Sequence, residues 1–282
     1  MSNLNQSENL ELKKNALAVR KNILRMVKAG GAGHVGGALS ATDIITALYF
    51  KVMNVRPDQP LWEKRDRFVL SAGHKCLALY AVLAEKGFFD KNLLDTYGSL
   101  GSRLPGHPDM HKLPGVESNT GALGHGLSIA GGMAMGLRLD NTESKVYVIM
   151  GDGELAEGSN WEAASAAAHH KLDNLMVFVD LNGLQIEGET KDVMSNADLV
   201  ARWKAFGWHV LEIDGHNFDE ILACTSKLPE VKGKPTVVIS HTIKAKGFSF
   251  GEGKVAYHYW SANEQEMKIA ENDLAEIERS LG

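Results

Sequence analysis

Two spacings of apolar residues alternate along this 282-residue chain. Between residues 8 and 28, Leu12, Leu17, Val19, Ile23, Leu24, Met26 and Val27 recur at about helical spacing, and Ala29-Gly30-Gly31 closes the run. A glycine-rich loop over residues 30–37 follows and carries His34. Ser40-Ala-Thr-Asp43 then matches a capping box and predicts a helix running through Tyr49. Five short apolar runs come next, at residues 67–70, 146–150, 175–179, 209–213 and 236–240. Most lack polar alternation, so they predict strands covered on both faces, and therefore parallel. Helical stretches separate them, at 75–85, 123–139, 159–170, 197–206 and 219–226, and a last helix is predicted over 262–281. This alternation predicts an α/β fold: a doubly wound, mainly parallel sheet with helices on both faces. No repeat, low-complexity tract or linker interrupts it, so the chain reads as a single domain over residues 1–282.

Composition narrows the possible partners. The chain is 44% apolar and 23% charged, with a formal charge of −5, and no basic stripe is interleaved with aromatics. That argues against a nucleic-acid groove. The N-terminus is polar and acidic and reads as mature sequence rather than a signal peptide. No apolar run approaches the roughly 20 residues that span a bilayer. Cys76 and Cys224 form no CxxC pair, which suggests neither a disulfide framework nor a zinc cluster and fits a cytoplasmic protein.

The strongest local signal is a strand ending in Gly151-Asp152-Gly153-Glu154, a small-residue helix, and a second strand ending in Asp180-Leu181-Asn182-Gly183. Ligands of an open parallel sheet bind beyond the carboxyl ends of its strands, which places Asp152 and Asn182 together at the crevice. A carboxylate and an amide oxygen suit a hard cation such as Mg²⁺, and flanking glycines allow close backbone approach. The same residues also fit a dinucleotide loop, Gly151-x-Gly153-x-x-Ala156, and spacing alone leaves both readings open. Asp152 favours the first, because a carboxylate facing a diphosphate needs a divalent ion between them. Other features carry less. Pro108 disfavours a helix that would align His107 and His111 as metal ligands, and His169-His170 reads as a helix C-terminal feature.

An aspartate between glycines, with an asparagine 30 residues on (182 − 152 = 30), resembles the thiamine-diphosphate motif. Further segments resemble transketolase in the same order: Gly33-His34-Val35-Gly36-Gly37, Ser71-Ala72-Gly73-His74, Gly106-His107-Pro108-Asp109, Thr120-Gly121-Ala122-Leu123-Gly124, Glu157-Gly158, and residues 241–247 leading to His258. The resemblance runs over nearly the whole chain. It implies thiamine diphosphate and Mg²⁺ as cofactors, with Asp152, Asn182 and the Leu184 carbonyl as metal ligands. It implies that His74, Gly121, Leu123 and Gly153 contact the cofactor, and that His34, His107 and His258 face the substrate.

The resemblance also implies a missing half. Complete transketolases continue into a pyrimidine-binding domain that supplies the catalytic glutamate, and Glu157 matches the residue that meets it across a subunit interface. The expectation is therefore a separately encoded partner subunit in a two-plus-two heterotetramer. The pair would move a two-carbon ketol unit between sugar phosphates, as in pentose-phosphate carbohydrate metabolism. Two departures stand out: His125 replaces a customary glutamine, and His258 lies in an unusual setting, between Tyr257 and Tyr259. Alternatives are a deoxyxylulose-phosphate-synthase-like enzyme and, from the GDGELA loop, an NAD-binding oxidoreductase.

Overall fold

A computed structural model describes residues 6–196 and 198–282. Its main sheet has five strands: β2 (Arg67–Leu70), β3 (Val146–Gly151), β4 (Leu175–Leu181), β5 (His209–Asp214) and β6 (Thr236–His241). All pairings in it are parallel and the order is β2-β3-β4-β6-β5. A two-residue antiparallel ribbon, β1 (Ala32–Gly33) with β7 (Trp260–Ser261), ties the glycine-rich loop to the segment bearing His258.

Successive strand residues serve opposite layers. Tyr147, Ile149, Met176 and Phe178 pack into one core, while Val146, Val148, Met150, Leu175, Val177 and Val179 pack into the other. Period-two geometry applied to a strand apolar on both faces gives this division, and it is why the strands show no polar alternation in sequence. The first core is shared with α1 (Gln6–Gly30), α2 (Val35–Ser40), α3 (Thr42–Ala47), α4 (Cys76–Lys86), α9 (Phe218–Thr225) and α10 (Glu264–Ser280). The second is shared with α5 (Gly126–Leu139), α6 (Gly158–His169) and α8 (Leu199–Ala205). The predicted doubly wound sheet is thus observed. Among the described residues no helix is long and apolar enough to cross a membrane.

Local chemistry sets several boundaries. Asp198, Asn217 and Asn263 cap α8, α9 and α10 by accepting backbone N–H groups of the first turn. Of the helix predicted over 197–206, residue 197 lies outside the described residues. Two boundary expectations need correction. The helix predicted from residue 123 starts at Gly126, because Gly124 takes φ +84° and makes 123–125 a turn. Ser40 does not cap a helix opening at that point, since helical structure already starts at Val35 with His34 as the flanking residue. The Ser40 hydroxyl instead donates to Asp180 Oδ2, 2.6 Å away on β4.

Candidate active site

The carboxyl ends of β3, β4 and β6 meet beneath a cavity of about 410 Å³. Asp152 follows β3 directly. Its Oδ1 accepts the Gly153 N–H (2.9 Å), and its Oδ2 accepts the Gly183 N–H (2.7 Å) and the Thr190 hydroxyl (3.2 Å). Thr190 opens the short helix α7 (Thr190–Val193). One carboxylate thereby joins the turns after β3 and β4. In a dinucleotide loop the Gly153 N–H would be free for phosphate and a helix would start beside it. Here that N–H is taken, and α6 begins only at Gly158, behind a 3₁₀ turn over Gly153–Ala156. The GDGELA loop is not shaped as a dinucleotide fingerprint.

Buried charges cluster at and just beneath the cavity floor. Lys75 Nζ lies 2.5 Å from Asp180 Oδ2, and both side chains are nearly inaccessible (3% and 0% exposed). Asp180 also accepts the Ser40 and Thr242 hydroxyls. Burial pushes its carboxyl upward, but Lys75 and these hydrogen bonds prevail and hold it below the usual range. Asp152, buried and near Asp180, is instead raised. Lys244 donates to the Leu184 carbonyl at 2.8 Å and to His258 Nδ1 at 3.1 Å. Burial, then the charge of Lys75, lowers its ammonium to about 8.

A carboxylate, an amide oxygen and a main-chain carbonyl line this floor at Asp152, Asn182 and Leu184. All are hard oxygen donors that fit a magnesium-sized cation, and the Leu184 carbonyl already takes a positive group in Lys244.

Glu154 builds one wall. Its Oε1 accepts the Ser71 hydroxyl and the Gly124 N–H (2.9 Å), and its Oε2 accepts the Gly151 N–H (3.2 Å). The 120–124 loop is thereby fixed to the turn after β3. Contact there is close: a Cβ on Gly73 would lie 2.6 Å from the Thr120 carbonyl, and one on Gly126 would collide with Ser71. Ser159 Oγ donates to the Gly124 carbonyl from the start of α6.

Histidines cluster at the same cavity. The His34 ring centroid lies 5.3 Å from His74, 5.5 Å from His258 and 6.3 Å from His107, and His74 stacks on His258 at 5.3 Å. Burial lowers His34, with His107 adding to it. His74 falls to about 2 through burial and the Lys75 charge, and His258 to about 3 through burial and the Lys244 charge. His34, His74 and His258 are therefore neutral near pH 7, able to donate and accept hydrogen bonds but not to act as counter-ions. Since Lys244 donates to His258 Nδ1, the His258 proton sits on Nε2.

His34, His74, Gly121, Leu123, Asp152, Gly153, Glu157, Asn182, Leu184 and His258, all singled out from sequence, line this one cavity. His107 is exposed beside it, its ring edge 2.8 Å from where a Gly121 Cβ would stand. Glu157 is exposed at the rim, and His125 is exposed at the start of α5 with Nδ1 3.1 Å from the Leu123 carbonyl. Residues 107–111 form no helix, as Pro108 predicts. Sequence reading missed Lys75, Lys244 and the anchoring role of Glu154. The available signals were weak: Lys75 adjoins His74, Lys244 lies in the quoted 241–247 segment, and Glu154 ends the GDGE string.

Fold and site define a class: a doubly wound α/β protein whose polar crevice lies at the carboxyl edge of a parallel sheet. The chain belongs to the transketolase family, the description "Transketolase, thiamine diphosphate binding domain" matching residues 12–275. It is 44% identical over 272 residues to the 6-deoxy-6-sulfo-D-fructose transketolase subunit SqwG of Clostridium sp., covering 96% of this chain and 98% of that one. It is 46% identical over 271 residues to one of the subunits of apulose-4-phosphate transketolase from Phocaeicola vulgatus, covering 96% and 95%. A solved transketolase variant from Pichia stipitis superposes with a TM-score of 0.88 at 32% identity, covering 93% of this chain. The chain spans only 40% of that protein's length.

Proposed function

We propose that this chain is the diphosphate-binding subunit of a two-chain transketolase that moves a two-carbon ketol unit from a ketose to an aldose. The observation that carries the reading is that Asp152, Asn182 and Leu184 line one cavity together with the clustered His34, His74 and His258. Asp152, Asn182 and the Leu184 carbonyl would hold Mg²⁺, and His74, Gly153 and Lys244 would meet the cofactor diphosphate. Gly121 and Leu123, on the loop that Glu154 anchors, would flank the pyrimidine end. When bound, thiamine diphosphate supplies the carbanion chemistry that cleaves and forms the carbon–carbon bond.

The chain's own part is binding and orientation. His34, His107 and His258 would orient substrate hydroxyls, since an imidazole can both donate and accept hydrogen bonds. Glu157 would meet the partner subunit, which completes the site in a two-plus-two assembly. The similar proteins named for sulfofructose and apulose 4-phosphate support a polar, anionic sugar as donor; ordinary pentose phosphates are the other candidates.

Calorimetric titration tests the cofactor reading. Thiamine diphosphate should bind only with Mg²⁺ present, Asp152→Asn should abolish that dependence together with tight binding, and NAD⁺ should not bind. Co-expression with a chain resembling the pyrimidine-binding part of a transketolase should give a complex and ketol transfer. Full activity of this chain alone would overturn the two-chain reading.

A further inference from the structure

Outside the cavity, one charged cluster is nearly as buried as the site floor. Arg20 on α1 grips Asp43 on α3 with two hydrogen bonds of 2.8 Å, both side chains 8% exposed. Asp43 Oδ2 also lies 2.7 Å from His216 Nδ1, in the turn after β5. His216 Nε2 accepts the main-chain N–H of Ile243 at 2.9 Å. A backbone amide can only donate, so Nε2 carries the lone pair and the ring proton sits on Nδ1, aimed at Asp43.

The same cluster grips that segment a second time, three residues on. Arg20 Nε donates to the Lys246 carbonyl at 3.1 Å. Between the two grips lies Lys244, and next to it Ala245 takes φ +60°, a left-handed conformation that a residue with a Cβ holds only when its surroundings impose it. The Ala245 N–H is fixed on the Gly36 carbonyl at 2.9 Å. The turn bearing His216 packs on the same segment, where a Cβ on Gly215 would meet Thr242 Cγ2 at 2.5 Å.

We propose that His216, oriented by the Arg20–Asp43 pair, is a positioning residue that clamps the 241–247 segment and so sets where the Lys244 ammonium stands over the Leu184 carbonyl. His216 touches neither the cavity nor Lys244 itself; it acts through the backbone of Ile243. Its importance for cofactor binding rests on the function proposed above, whereas the clamp does not.

The test uses the full chain and the variant His216→Asn, which keeps an N–H for Asp43 but is too short to accept from Ile243. Without any ligand, hydrogen exchange of peptides covering 241–247 should accelerate about tenfold, the loss of one hydrogen bond, while β3 and β4 keep wild-type protection. Lys244 should label several-fold faster with a trace of acetic anhydride. With Mg²⁺ present, thiamine diphosphate affinity should fall about tenfold in His216→Asn. The fall should be no larger in His216→Asn/Lys244→Met than in Lys244→Met alone, a non-additivity that a merely structural role would not produce.

Unchanged exchange and labelling in a folded His216→Asn protein would overturn the proposal. If that variant unfolds, His216→Ser, which is likewise too short to accept from Ile243, carries the same measurements. Global unfolding of both would make His216 a determinant of the fold and would also overturn the clamp. If wild type fails to bind thiamine diphosphate, the cofactor reading fails, while the exchange and labelling arms still decide the clamp.

Discussion

Removing Lys75 while leaving Asp180 is the sharpest perturbation that the floor of the cavity offers. In Lys75→Met the chain stem is kept, but a carboxylate at 0% exposure loses the ammonium 2.5 Å away. Among the described residues, the hydroxyls of Ser40 and Thr242 and the more distant Asn182 amide remain as donors. Breaking one side of a buried ion pair typically costs about 3–5 kcal/mol, because the remaining charge is neither solvated nor paired. For a chain of this size that is a fall in melting temperature of roughly 5–9 °C, readable by tryptophan fluorescence without cofactor. The sign with pH follows from Asp180. In wild type its carboxyl is held below the ordinary range, so its contribution is present above the unfolded value and fades only as pH falls through the lowered one. In Lys75→Met burial is nearly unopposed and the carboxyl rises above its unfolded value, so the variant loses stability as pH climbs. The gap between wild type and variant should therefore widen from about pH 4 to pH 8. Lys75→Met/Asp180→Asn should cost less than the two single changes summed, by about 2 kcal/mol or more. A Lys75→Met loss under about 1 kcal/mol, or an additive cycle, would refute the idea that this pair is a coupled, desolvated unit.

Three further outcomes are expected. Glu154→Gln should lose about 2 kcal/mol of stability, because one of the backbone N–H groups that Glu154 accepts would then face an amide NH₂; chemical denaturation measures it, and a neutral result would mean that the 120–124 loop is held by other contacts. Gly73→Ala should weaken thiamine diphosphate binding about tenfold in calorimetry while sparing the sheet, since its Cβ would press on the Thr120 carbonyl; unchanged affinity would show that the loop yields freely. His74 and His258, lowered to about 2 and about 3, should stay neutral to pH 5 in histidine NMR. Folded-state values below the unfolded one mean that their contribution is lost as pH falls under about 6.5, about 1 kcal/mol per ring between pH 7 and 5.5; a His74→Gln/His258→Gln protein should lack that slope.

The sheet was legible because its strands are apolar on both faces, and that pattern has few other solutions once helices separate the runs. The site was legible wherever glycine or histidine marked it, since both are conspicuous against a background of core and surface. The lysines were not. A lysine in sequence is presumed solvated, and nothing near Lys75 or Lys244 announces that the fold will leave each only 2% exposed. Ser40 was misread for a related reason: its local context fits a cap, but Asp180, 140 residues away, offers its hydroxyl a buried partner. The helix start at 126 turned on the positive φ of Gly124, where a Cβ would also collide with Glu157 and Ser159. The Asp43–His216 contact, 173 residues apart in sequence, belongs to the same class of facts that only tertiary packing creates.

The buried charges also bear on why a metal belongs to the proposed reading. Asp152, Asp180 and Glu154 against Lys75 and Lys244 leave the buried groups of the site with two cations for three carboxyls, and no positive charge to spare. A diphosphate entering that cavity adds negative charge that the floor does not balance. The histidines beside it cannot supply the difference, because burial and the neighbouring lysines keep His74 and His258 uncharged. A lowered Lys244 is a weaker counter-ion than an exposed lysine would be. The missing positive charge has to arrive with the cofactor. The oxygens of Asp152, Asn182 and Leu184, grouped on two adjacent turns, are the donors that a small divalent cation would use.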